Sequence, residues 1–472
     1  MTSSHKPRHA PVSMSPQLPL WLWGFIALLV LLPLPFGANR DWASSLMGVI
    51  SGGLFLFMLW EEKEAAPWRG TAPRKRILGA ALGFSIVILW GFVQTLPWTP
   101  TAWHHPIWIQ TKEILGPVSS AISIDPSIFI ESLSRLLSYI AFFLMALCAG
   151  RNKDYAKQII KALAWAGGAY ALYGLLAYAS GSETILWFKK WAYHTFLTST
   201  FVNKNSYAAY AGMGLLCSLA LVRDQIKHIV IRDRLLAQKS KALAYLDSLS
   251  LIQIIVLLIP VLIIAALALT GSRAGTASSF FGVLTLLVAL AVNMRMRSKK
   301  GMLISVAILG AFLFFVLLGG QTLMTRFDSE NISQDTSIRL AGYSLALQAI
   351  SDNPWLGFGM GTFDSAFRLY RDASLSLWYH HAHNDYLEML MDLGIPVASL
   401  LFMSLGLLVS CCVSGVWERK RDAIYPAVAL GASALIAAHS LVDFSMHIPA
   451  IAATYATLLG LGVAQSWSSR NK

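Results

Sequence analysis

Leu251-Ile252-Gln253-Ile254-Ile255-Val256-Leu257-Leu258-Ile259-Pro260-Val261-Leu262-Ile263-Ile264-Ala265-Ala266-Leu267-Ala268-Leu269 carries no charge and one polar side chain, Gln253. A helix rises about 1.5 Å per residue, so a run of this length reaches across a hydrocarbon core roughly 30 Å thick. Similar runs recur along the chain. Twelve are read in all, at 19–36, 43–60, 77–96, 131–149, 158–180, 206–222, 251–269, 276–293, 302–319, 396–416, 424–443 and 448–466. Composition agrees, with 56% hydrophobic and only 13% charged residues. In lipid every backbone polar group must be satisfied within the segment, so spans of this length are helices. The expected fold class is all-α: a polytopic integral membrane protein of about 12 transmembrane helices. A charged, Pro-rich stretch without a small-residue cleavage site precedes the first run, which therefore reads as an anchor and not a signal peptide.

The formal charge of +13 follows topology. Basic residues concentrate in alternate loops, from Lys63 to Arg76, Arg151 to Lys161, Arg223 to Lys241, Arg295 to Lys300 and Arg419 to Arg421. With twelve spans and a cytoplasmic N-terminus, 26 of the 37 Lys and Arg fall inside and 11 outside, as the positive-inside rule expects. Both termini are then cytoplasmic, and the distribution excludes a nucleic-acid partner. Cys148, Cys217, Cys411 and Cys412 all fall within spans, without zinc-ligand spacing, and read as small packing residues.

This orientation leaves four external segments worth reading. The loop at 97–130 carries Trp98, Trp103, His104, His105 and Trp108, which suit an interfacial aromatic belt. The loop at 181–205 ends in Asn203-Lys204-Asn205, where asparagine suits a helix cap and Lys204 a phosphate or headgroup contact. Thr270-Gly271-Ser272-Arg273-Ala274-Gly275 is a very short turn. The dominant connection, about 320–395, reads as a mostly helical external loop. Ile338 to Ile350 has helical spacing and Asn353-Pro354 stops it. Gly357-Phe358-Gly359-Met360-Gly361 lacks the spacing and lysine of a phosphate loop and reads as a tight turn needing positive φ. An amphipathic stretch, Phe363 to Tyr370, follows. A last helix begins near Asp385 and leads into the tenth span.

Chemistry concentrates in His380-His381-Ala382-His383-Asn384-Asp385-Tyr386-Leu387-Glu388. His381 and His383 are two apart, unlike the i, i+4 histidine pairs of helical zinc sites, and no metal is assigned. Asp385-x-x-Glu388 has capping-box form, and both acids, with Asp392, suit the positive end of a helix. A single catalytic histidine is the better reading, because imidazole exchanges protons near pH 7. Arg273 sits between two spans at headgroup depth, on the side where arginine is disfavoured. Its guanidinium fork is suited to gripping a diphosphate, and Arg339 is the second candidate.

Taken in order, these pieces resemble the bacterial O-antigen ligase/polymerase superfamily of integral-membrane glycosyltransferases. The resemblance rests on Thr200-Phe201-Val202-Asn203-Lys204-Asn205, Leu269 to Gly275, and Ser337-Ile338-Arg339-Leu340. It continues through Asn353-Pro354-Trp355-Leu356-Gly357-Phe358-Gly359, His383-Asn384 with Gly394, and His439-Ser440-Leu441-Val442-Asp443-Phe444. It departs at Ala274, where glycine commonly follows the arginine, and at Tyr343, where tryptophan is common.

The resemblance implies a GT-C-like membrane enzyme without cofactor or metal. Such an enzyme takes a glycan from a polyprenyl-diphosphate carrier and passes it to an acceptor hydroxyl, on lipid A-core or a growing glycan. The reaction would take place on the periplasmic face of the inner membrane. It implies that Arg273 and Arg339 hold the diphosphate and that His383 is catalytic. Asn203, Lys204, Asn205, His381, Asn384, Asp385 and Glu388 are supporting positions. The expected division is N-terminal helices in 1–195, a ligase-like core in 196–416 including the 320–395 loop, and the last two helices in 417–472. Residue types do not separate ligase from polymerase. A transporter or flippase is disfavoured because the spans hold almost no ionisable residue, Arg135 and Asp443 lying only near their ends.

Overall fold

Gln253, the one polar residue of the run quoted first, serves the start of its helix. Its side chain accepts from the Ser250 amide while Ser250 Oγ accepts from the Gln253 amide, a closed capping box. The computed structural model describes residues 18–62, 73–236, 250–293, 329–373, 375, 379–419 and 422–467. The apolar runs within them fold as α1 (Leu20–Leu31), α2 (Asp41–Glu61), α3 (Arg74–Gln94), α5 (Phe129–Ala149), α6 (Lys153–Ala179), α7 (Lys204–Leu236), α8 (Leu251–Leu269) and α9 (Arg273–Asn293). After the large connection they continue as α13 (Ile395–Glu418), α14 (Ile424–His439) and α15 (Pro449–Ala464). Eight described helices are long and apolar enough to cross a membrane, and α1, α14 and α15 are shorter apolar helices. The expected span at 302–319, and most of the basic loops, lie outside the described residues.

Burial sorts the helices. All of α15 except Ala456 is buried, and α14 and the stretch of α7 from Asn205 to Leu221 are nearly as enclosed. By contrast α2, α3, α8 and α13 expose Leu46, Leu56, Leu82, Leu89, Ile252 and Met403, which carries no penalty in lipid. Association between helices there depends on close packing, so small residues mark the crossings. A Cβ on Gly282 of α9 would meet the carbonyl oxygen of Gly431 on α14, and the reverse also holds. The four cysteines are buried and free, as expected of packing residues.

The connections gather at two ends. At one, the Leu197 amide donates to Leu269 O, Ser123 to Gln94 O, Ile124 to Phe358 O and Asp385 to Ser440 O. At the other, Lys153 pairs with Asp422 at 2.8 Å and Lys157 with Asp224 at 2.6 Å. This alternation matches the sequence reading. Two bounds differ. Arg273 to Gly275 already belong to α9, so the turn is only 270–272, and α14 ends at His439, which leaves Asp443 outside the helix. The 97–130 connection also contains a helix, α4 (Ile107–Leu115), and the 181–205 connection a two-residue hairpin, β1 (Thr184–Ile185) with β2 (Phe188–Lys189).

The large connection forms its own small core at the first end. There α10 (Ser329–Asp352) packs Leu345, Ala346, Ala349 and Ile350 against Phe358, Phe363, Phe367 and Met391, which come from the glycine turn, α11 (Phe363–Phe367) and α12 (Asp385–Leu393). Gln94, at the end of α3, fastens this unit to the bundle. Its side-chain amide donates to Leu356 O and Asp392 O, and its oxygen accepts from Met360 N. Gly357, Gly359 and Gly361 all have positive φ, as the tight-turn reading requires. At Gly357, φ +69°, a Cβ would also strike the Asp392 carbonyl and the Gly394 amide. Gly357→Ala is therefore expected to destabilise the protein by at least ~2 kcal/mol. Thermal unfolding in detergent should show a lowered midpoint.

Candidate active site

Asn384 organises the histidine segment. Its side-chain oxygen accepts from the Tyr386 and Leu387 amides, making it the N-cap of α12, and its side-chain amide donates to Leu441 O. The capping-box reading of Asp385-x-x-Glu388 is thereby corrected. The cap lies one residue earlier, and both acids turn inward, 5% and 3% exposed. A buried carboxylate must be paired, and each finds histidine. Asp385 Oδ1 is 2.8 Å from His447 Nδ1, and its Oδ2 accepts from Ser440 Oγ at 2.6 Å. Glu388 Oε1 is 2.9 Å from His381 Nδ1 and 3.0 Å from His447 Nε2, while Oε2 accepts from Ala382 N. Burial alone would raise the Glu388 carboxyl, but the charges of His447 and His381 outweigh it and hold it well below the usual range. Burial alone would lower His447, but Glu388 and Asp385 outweigh it and hold it well above. Donor atoms of His381, Glu388 and His447 lie within 4.8 Å of one another, close enough to hold a metal ion.

Neither acid orients His383. That residue has φ +51°, a left-handed conformation uncommon outside glycine and asparagine. Tyr343 Oη donates to its carbonyl at 2.8 Å. Its ring stands edge-on to Phe444, and His381 stacks on the same Phe444 ring at 4.6 Å between centroids. The carboxylate beside His383 is Asp443, whose Oδ1 lies 3.4 Å from Nδ1, long for a hydrogen bond. Asp443 is buried, which pushes its carboxyl up, but contact with His383 and the charges of His439 and His383 hold it at about 2. Among the described residues, Asp443 Oδ2 and His439 Nε2 are buried and meet no hydrogen-bond partner. Asp392 differs again: burial and the neighbouring Glu388 charge push its carboxyl well above the usual range, against the opposing Gly361 amide.

Arg339 joins this cluster. From α10 its Nη1 donates to Val442 O at 3.0 Å, one residue before Asp443. Arg273 stands elsewhere at the same end. It is the first residue of α9 and exposed, following Ser272, whose hydroxyl accepts from the Gly275 amide. A Cβ on Gly275 would meet Ala208 of α7, which sets Arg273 beside the start of that helix. There Asn203 accepts from the Asn205 amide as the expected cap, and Lys204 Nζ lies 3.5 Å above the Phe196 ring. Among the described residues, no hydrogen bond or ion pair joins Arg273 to the histidine cluster. The turn at 445–447 contacts α7 as well as α12 and α14.

The structure brings together His381, His383 and Arg339, gives Asp385 and Glu388 partners other than those expected from the sequence, and adds His447 and His439, the latter named from the sequence only within a motif and without a role. One signal was available: His439, Asp443 and His447 recur every four residues. The chain leaves the helix at His439, so the recurrence does not lie along a helical face.

These positions divide at the boundary of a known family. Residues 258–402 match the family model described as O-antigen ligase; Arg273, Arg339 and His383 fall inside that match, and Asp443 and His447 beyond it. No curated protein matches the chain. Through residues 258–402, this multi-pass membrane protein is similar to the O-antigen ligase family.

Proposed function

We propose that the protein transfers a glycan from a polyprenyl-diphosphate carrier to an acceptor hydroxyl at the outer face of the bacterial inner membrane, as a ligase. The similarity of residues 258–402 to the O-antigen ligase family supports the coarser statement, a ligase- or polymerase-type role in glycan biosynthesis at a membrane. The observation that supports the transfer chemistry, for either acceptor, is the convergence on one segment. Arg339 binds Val442 O, and His383 Nδ1 approaches the carboxylate of the next residue.

In this reading the acceptor hydroxyl gives its proton to His383, and its oxygen bonds the anomeric carbon. The bond from that carbon to the diphosphate breaks, and its electron pair leaves on the diphosphate oxygen. Attack opposite the leaving group inverts the configuration. Asp443, ionised and buried, stabilises the imidazolium that forms, by the electrostatics that favour a charge pair away from water. Arg273 and Arg339 neutralise the departing diphosphate, so no metal ion is assigned that task. The ring of Phe444 between His381 and His383 gives the site an apolar wall.

The same chemistry with a growing glycan as acceptor is polymerisation. A lipopolysaccharide and exopolysaccharide size profile of the native host, with and without the protein, separates the two. Core lipid bare of repeat units, with long polymer still built on the carrier, is the result expected of a lost ligase. Core lipid capped by a single repeat unit, or loss of secreted long chains, would make the protein a polymerase. Unchanged glycans with altered movement of the lipid-linked donor would make it a transporter.

A further inference from the structure

We propose that His381, Glu388 and His447 bind one divalent cation of the zinc type, which fastens the histidine segment to α12 and to the 445–447 turn. The three residues come from two distant stretches of chain, 381–388 and 445–447, and their donor atoms meet at Glu388 Oε1, with His381 Nδ1 at 2.9 Å and His447 Nε2 at 3.0 Å. Metal–ligand bonds of about 2.0–2.1 Å set neighbouring donors about 3 Å apart. Two imidazole nitrogens and one carboxylate oxygen are the donor types that borderline cations take, and three protein ligands leave a fourth position for water.

The surroundings are built in the manner of a metal site. A ligating histidine commonly gives its other ring N–H to a carboxylate, which fixes the tautomer and aims the free lone pair at the ion. Asp385 Oδ1, 2.8 Å from His447 Nδ1, occupies that position. Asp385 is in turn held by Ser440 Oγ and the Met446 amide. The second oxygen of Glu388 is held by Ala382 N, and the His381 ring by Phe444. Glu388 is buried, whereas the side chains of His381 and His447 are 23% and 20% exposed, so the site can be reached from its edge. Two carboxylates and two neutral imidazoles balance a dication. His383 belongs to the same segment but points to Asp443 and is not a ligand.

The sequence objection, that His381 and His383 have the wrong spacing, does not apply, because the second histidine is His447. The alternative occupant of the same geometry is a proton on each ring nitrogen, and the experiment separates the two. The full-length protein, purified in detergent with an affinity tag free of histidine, would be stripped with chelator and titrated with Zn²⁺. Metal content would be read by elemental mass spectrometry. About one equivalent is expected, with a Kd below ~1 µM. Asp385→Asn should weaken binding ~10–100-fold, and Glu388→Gln and His447→Gln should abolish it. His380→Ala should leave it unchanged, since His380 pairs with Asp364. Failure of the stripped wild-type protein to take up zinc would overturn the proposal even if the variants do not fold. So would uptake that survives Glu388→Gln and His447→Gln, which marks adventitious binding to exposed histidines. The readout is metal content, so the result stands whether or not the protein is a transferase.

Discussion

His383→Ala is expected to lower glycan transfer by about 10²–10⁴-fold, the usual contribution of a positioned general base, with protein abundance unchanged. Abundance should hold because the backbone frame does not depend on the ring, and Asp443, left without His383, can take up a proton. The Tyr343 bond goes to the His383 backbone carbonyl, the helix is capped by Asn384, and Asp385 is anchored through its own amide and side chain. His383→Asn keeps a residue type that tolerates positive φ and provides a second test of the same point. The measurement is transfer of labelled glycan from the lipid carrier in detergent, normalised to protein. Wild-type rates in both variants would remove His383 from the mechanism. Loss of the protein from the membrane in both would mark it as structural.

Arg273→Lys is expected to lower kcat/KM by ~10–100-fold, corresponding to one charge-assisted hydrogen bond of about 1.5–3 kcal/mol. Lysine keeps the charge but offers a point contact where arginine offers a fork. The fold gives Arg273 little to do for stability. It is exposed in the first turn of α9, where a cation opposes the helix dipole. A variant with normal thermal stability and a normal rate would argue against the grip. Arg339→Lys makes a weaker test, since it also removes the bond to Val442 O and so disturbs the segment that carries Asp443.

The spans were legible because the property that makes them is local. A run of apolar residues long enough to cross the hydrocarbon core declares itself without reference to any other part of the chain. The same holds for the turn at 357–361, where the need for positive φ is written in three glycines, and for the Asn203 cap. The partners of the acids were not legible in this way. Asp385 and Glu388 stand in the first turn of a helix, where a dipole argument accounts for them completely. Nothing within the segment says that the 440–447 connection folds over it.

The sequence alone therefore determined the membrane class, the helices, and the residue types gathered in the large connection. Tertiary structure decided which charge meets which. It turned Asp385 and Glu388 toward His447 and His381, and set Asp443 beside His383. It also kept Arg273 apart, beside the start of α7. The physical reason is that a buried carboxylate needs a counter-charge, and for Asp385 and Asp443 the nearest in space lies some sixty residues away in the chain.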